Sequence, residues 1–144
     1  MSGVAGALAP RTARSGPPAG GLLFMLCREL QATRVVDCTG GSSATASLAA
    51  AVRANGGGTV IVADASQTLR TLEAPVDFVF FGRPEAGRSF ARDAIEILAP
   101  HLRPGGLAAN EAPDAGYLRY VRDPGNGFIS WSLESGCELS YRLI

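Results

Sequence analysis

Val35-Val36-Asp37-Cys38-Thr39-Gly40-Gly41-Ser42-Ser43-Ala44-Thr45 is the stretch on which the fold turns. A β-branched run ends at an acid, a glycine bend follows, and alanine-rich sequence begins after it. This is the layout of a strand, a tight turn and a helix, the unit that receives a nucleotide when the backbone must come close to its ligand. Such bends also join strands to helices with no ligand at all, so the stretch alone leaves both open.

Working outward, strand and helix signals alternate. GLLFMLCREL, residues 21–30, carries leucines at helical spacing, and Arg34 to Cys38 suits a buried strand. A helix is expected over 44–54, with Leu48, Ala51 and Val52 inward and Gly56 closing it. Thr59 to Ala63 reads as a second strand ending at Asp64, and QTLRTLE after Ser66 leaves room for barely two helical turns before Pro75. Val76 to Phe81, VDFVFF, is a nearly unbroken apolar strand. A helix over 89–102 presents Phe90, Ala94, Ile95 and Leu98 on one face, Arg103-Pro104-Gly105-Gly106 reads as a turn, and a strand near 107–110 follows. FISWSL and CELSYRL both alternate around the turn ESG and predict an antiparallel hairpin. The fold class is therefore α/β, with a mainly parallel sheet and an antiparallel end.

The 144 residues, 47% of them hydrophobic, fit one domain over 21–144 behind a disordered tail over 1–20. Prolines and glycines in that tail break the amphipathic helix a transit peptide would need. Thirteen acids balance thirteen bases, so the basic field that draws nucleic acid or anionic lipid is missing, and a small-molecule or protein partner is expected. All thirteen bases are arginine, which excludes lysine as general base or Schiff-base nucleophile. Cys27, Cys38 and Cys137 are odd in number and show no CxxC pair, which suits a reducing, cytoplasmic setting better than a disulfide or zinc framework. No apolar run approaches the roughly 20 residues of a membrane span.

With the elements in order, the chain resembles the class I S-adenosylmethionine-dependent methyltransferases, and more narrowly the small O-methyltransferases of the catechol and caffeoyl-CoA type. Pro18-Ala19-Gly20-Gly21-Leu22-Leu23, VVDCTGG, GGGTVIVAD, VDFVFF, LRPGGL and YLRYVRDPGNGFISWSLESGCELSYR carry the likeness, which covers most of 17–142. It implies that Asp37, Gly40, Gly41 and Ser42 hold the methionine part of S-adenosylmethionine and that Asp64 takes the ribose hydroxyls. A carboxylate can accept two hydrogen bonds from a diol, and Asp64 lies 23 residues beyond Gly41, near the spacing of about 20 in dinucleotide turns.

The chain also departs from that pattern. Thr39 and Ser43 stand where the family bend has glycine. Between the ribose acid and VDFVFF the family places a further helix and strand, whereas here only residues 65–75 intervene. A two-turn helix of about 11 Å can still cross two strand spacings of about 10 Å in total. In family strand numbers the expected order is 2-1-4-5-7-6, a Rossmann-like methyltransferase sheet lacking one helix–strand unit. That leaves the strand over 59–63 at an open edge, where a second copy or a partner chain could pair. Gly82 and Glu111-Ala112 replace the family's magnesium-binding acids, so no metal is expected, and Arg83 is too firmly protonated to act as a base. His101, Asp77 and Asp93 read as structural. Tyr117, Arg119, Tyr120 and Arg122 read either as a substrate mouth or as a solvated helix face.

Two functions follow. One is a metal-independent O-methyltransferase acting on a small molecule. The other is a degenerate relative that serves as a binding or partner subunit or runs a different reaction. A nicotinamide-binding fragment shares the glycine turn but leaves the terminal hairpin unexplained.

Overall fold

A computed structural model describes residues 19–38, 43–63, 69–72, 75–83 and 90–143. The elements are α1 (Ala19–Leu30), β1 (Arg34–Asp37), α2 (Ser43–Ala54), β2 (Thr59–Val62), β3 (Val76–Phe81), α3 (Ala91–Leu98), a 3-10 turn (Ala99–His101), β4 (Leu102–Asn110), α4 (Ala115–Val121), a second 3-10 turn (Pro124–Asn126), β5 (Phe128–Ser132) and β6 (Glu138–Arg142). The six strands order as β2-β1-β3-β4-β6-β5. The first four are mutually parallel, while β6 runs antiparallel to both β4 and β5. This is the order anticipated for a sheet short of one helix–strand unit.

Two apolar layers sandwich the sheet. Leu23, Cys27, Leu48, Ala51 and Val52 of α1 and α2 pack with Val35, Phe78 and Phe80 on one face. Ala94, Ile95 and Leu98 of α3, with Tyr117 and Val121 of α4, pack with Val36, Val79 and Phe81 on the other. Coverage on both sides explains why β3 is apolar at nearly every position instead of alternating. Leu69 and Leu72, in the short crossover, are buried in the second layer. The rest of the predicted two-turn helix, together with the 1–20 tail but for Ala19 and Gly20, lies outside the described residues.

At the amino end of the sheet Asp77 ties three strands together. Its carboxylate accepts from the Thr33 and Arg34 N–H groups at 2.9 and 3.0 Å and from Arg103 Nε at 2.7 Å. Arg103 in turn donates to the Leu30 carbonyl at 3.2 Å, which draws in the end of α1. The structural role expected for Asp77 is thereby accounted for. Gly58 turns the chain into β2 at φ +151°, and a Cβ there would stand 2.0 Å from the Thr33 carbonyl oxygen. Only glycine fits.

Two boundaries differ from expectation. Leu102 to Gly106 is not a free turn but the start of β4: pairing passes from Val76–Leu102 directly to Phe78–Leu107, so the glycine-containing segment bulges inside the strand. The helix expected over 89–102 is α-helical only to Leu98 and tightens to 3-10 geometry over Ala99–His101, where Pro100 removes a helix donor.

Candidate functional site

In a parallel sheet every strand delivers its following loop to the same end, so β1, β2, β3 and β4 open together at their carboxyl ends. There Asp37 is in register with Val62 of β2 and Phe80 of β3. The Ala63 N–H donates to the Asp37 carbonyl at 2.9 Å, and the Cys38 N–H to the Phe80 carbonyl at 2.8 Å. The Glu111 N–H closes the row on the Phe81 carbonyl at 2.9 Å. The glycine bend after β1 and the acid after β2 therefore leave neighbouring strand ends. Gly40, Gly41, Ser42 and Asp64 themselves lie outside the described residues.

Asp37, of the expected cofactor-binding residues, is described in full. Its side chain is completely buried and accepts a hydrogen bond from the Thr45 hydroxyl on the first turn of α2. A carboxylate enclosed this way acts on the bend by fastening the first turn of the helix to the end of the strand. Sequence reading missed Thr45, whose signal was its place one turn into a helix that follows a strand-terminal acid.

Three further groups stand around this edge. Cys38 is half-buried, and burial followed by the neighbouring Asp37 charge pushes its thiol far above the ordinary range. It is a neutral contact rather than a nucleophile. Asn110 is buried and accepts the Ala112 N–H at 3.0 Å, bending the chain out of β4. Glu111 is half-buried, and its carboxylate accepts the Arg83 N–H at 3.2 Å, joining the loops after β3 and β4.

Tyr117 is fully buried, with its ring edge-on to Phe81 at 5.4 Å. Burial raises its phenol far beyond the usual range, so it stays neutral. The four residues read as a mouth or a solvated face have different surroundings. Tyr117 is core; Tyr120 lies under the Arg92 guanidinium at 4.6 Å, and Arg122 grips Glu138 at 2.9 and 2.8 Å, while Arg119 is exposed. His101 immediately precedes Leu102, the β4 residue in register with Val76, and so stands at the opposite end of the sheet from the strands' carboxyl ends. Asp93 is exposed in the first turn of α3. Among the described residues no three His, Cys, Asp or Glu side chains gather to hold a metal ion.

No family model matches the chain, and no curated protein matches it. Solved structures do. The O-methyltransferase TomG from Streptomyces achromogenes, involved in tomaymycin synthesis and crystallised with S-adenosylmethionine, is 19% identical at a TM-score of 0.59, covering 91% of this chain and 82% of its own. An O-methyltransferase from Bacillus cereus in complex with S-adenosylhomocysteine is 14% identical at 0.58, covering 90% and 82%. An rRNA methylase from Streptococcus thermophilus is 14% identical at 0.54, covering 92% and 100%. The likeness is one of fold, a Rossmann-like methyltransferase sheet of six strands.

Proposed function

We propose that the protein is an S-adenosylmethionine-dependent O-methyltransferase acting on a small molecule without a metal ion. The observation that carries this reading is the Asp37–Thr45 tie at adjoining ends of β1 and β2, within a fold shared with structures crystallised with S-adenosylmethionine or its product. In this reading Asp37, fastened to the first turn of α2 through Thr45, stands where the sequence between β1 and α2 would hold the methionine part, and Asp64, which follows β2 in sequence, would offer a carboxylate to the ribose diol. When bound, the cofactor supplies an electrophilic methyl group. In this reading the chain's part is to orient an acceptor oxygen toward it, with Glu111, just beyond β4, assigned as the base for the proton that oxygen releases. The even charge balance, with no basic field, favours a small acceptor over rRNA.

Calorimetry with S-adenosylmethionine and S-adenosylhomocysteine tests the reading. Binding with millimolar affinity or better, abolished by Asp64→Ala, is expected. No heat and no thermal shift at millimolar cofactor would overturn it and leave the partner-subunit reading, which the glycine replacements at Thr39 and Ser43 favour.

A further inference from the structure

Among the described residues the sheet has two open edges, β2 and β5, and they differ in what they present. β2 exposes Val62 as its one large apolar side chain. On β5, Ile129 is 59% and Trp131 70% exposed, beside Tyr141 at 46% on the neighbouring strand and Leu143 at 43% just beyond it. Ile129 stands directly opposite Tyr141 and Trp131 opposite Leu139, so all project from one face of the hairpin, while Phe128, Ser130 and Ser132 project from the other. The apolar face amounts to roughly 400 Å², the size at which a patch on a monomer marks an interaction site. It supplies about half of the ~800 Å² each partner contributes to a stable interface.

The main chain of β5 is equally available. The Leu133 N–H bonds to the Cys137 carbonyl at 2.8 Å and the Leu143 N–H to the Gly127 carbonyl at 2.9 Å, so odd-numbered positions of β5 face β6. Its even positions, Phe128, Ser130 and Ser132, direct N–H and C=O groups away from the sheet. FISWS contains no charged residue and no proline, the devices by which an edge is ordinarily blocked.

From this edge we infer that β5 is a self-association surface whose occupant is a second copy of this chain, paired antiparallel across a two-fold axis at Ser130. That register is the one the strand is built for. It places the outward amides of Ser130 against each other and sets each Ile129 opposite the second copy's Trp131, in the closer, non-hydrogen-bonded pairing. Aromatic and β-branched residues make favourable cross-strand pairs there. An isologous contact of this kind closes at two chains and gives one continuous twelve-stranded sheet. The uncharged strand makes the patch compatible with itself. Burial of Glu138 on the opposite face of the hairpin, under Arg122, Ser130 and Ser132, keeps its charge away from the contact.

Trp131 is the sole tryptophan, so the interface carries its own reporter. Sedimentation of the full chain from micromolar to millimolar concentration should show a monomer–dimer equilibrium, with Trp131 emission shifting to shorter wavelength as dimer forms. Ile129→Lys keeps the tryptophan, alters an exposed side chain and sets two like charges across the axis. It should weaken the dimer at least about tenfold with an unchanged circular dichroism spectrum. Val62→Lys, on the other open edge, should leave the dimer intact. Monomer throughout with constant emission would overturn the inference, as would a dimer that survives Ile129→Lys or is lost in Val62→Lys, which would assign the contact to β2. None of these outcomes depends on whether the cofactor binds.

Discussion

Thr45 and Cys38 each set one local condition at the carboxyl end of β1, and Gly58 sets one at the opposite end of the sheet. The Thr45 hydroxyl meets a carboxylate that has no solvent, so Thr45→Val leaves Asp37 short of a donor in a dry setting and should cost about 1–3 kcal/mol, read from urea unfolding. On the proposed function, affinity for S-adenosylmethionine should fall with it, because the start of α2 is no longer fastened to the end of β1. Cys38 should resist alkylation near neutral pH, reacting more than about tenfold slower than an unfolded thiol, since only the thiolate attacks and burial suppresses it. Fast labelling of Cys38 in the folded chain would contradict that environment. Gly58→Ala should destabilise by at least about 1–3 kcal/mol from backbone strain alone, and by more because the added carbon meets the Thr33 carbonyl; a thermal melt decides.

At the scale of elements, two carboxylates, the half-buried Asp77 and the fully buried Glu138, hold the sheet at separate points. Burial alone would raise the Asp77 carboxyl, but the Thr33 and Arg34 amides and Arg103 outweigh it and hold it below its ordinary value. Glu138 behaves alike: burial raises it, and Arg122, Ser130 and Ser132 bring it below. A carboxyl lowered in the fold contributes stability that is present above its unfolded value, about 3.9 for Asp and 4.3 for Glu, and is lost as pH falls through the native one. Stability should therefore fall with acidification below about pH 4. Asp77→Asn and Glu138→Gln should each be less stable at neutral pH and lose less on acidification, in urea titrations across pH. The same clip explains why the glycine segment before Leu107 is strand rather than loop. Arg103, bound to Asp77, holds the beginning of β4 against β3, and the extra residues bulge out instead of ending the strand.

Across the whole molecule, β1 and β3 are flanked by strands on both sides and packed on both faces, whereas β2 and β5 have one neighbour each. Amide exchange should be slowest in β1 and β3 and fastest among the strands in β2, with β5 slowing as concentration drives pairing. Uniform exchange across the six strands would contradict this gradient. The eleven-residue link from 65 to 75 sets the global shape, since it brings β3 directly beside β1 and leaves β2 at the rim.

Periodicity and turn chemistry determined most element types and their order, because VDFVFF reads as a strand buried on both faces and the alternation in FISWS and CELSYR as a half-covered hairpin, while the strand order followed from the resemblance to the methyltransferase sheet. The motif reading placed an acid at the end of the first strand, and that acid is there. Only the tertiary structure decided what surrounds it: that Asp37 is sealed under Thr45, that Tyr117 is packed in the core and Arg122 paired with Glu138, that His101 stands at the opposite end of the sheet, and that Ile129 and Trp131 are exposed. Strand and helix types follow from neighbours along the chain, which the sequence contains. Burial, ion pairing and which end of a strand a side chain occupies depend on residues distant in sequence, and those come together only when the sheet has formed.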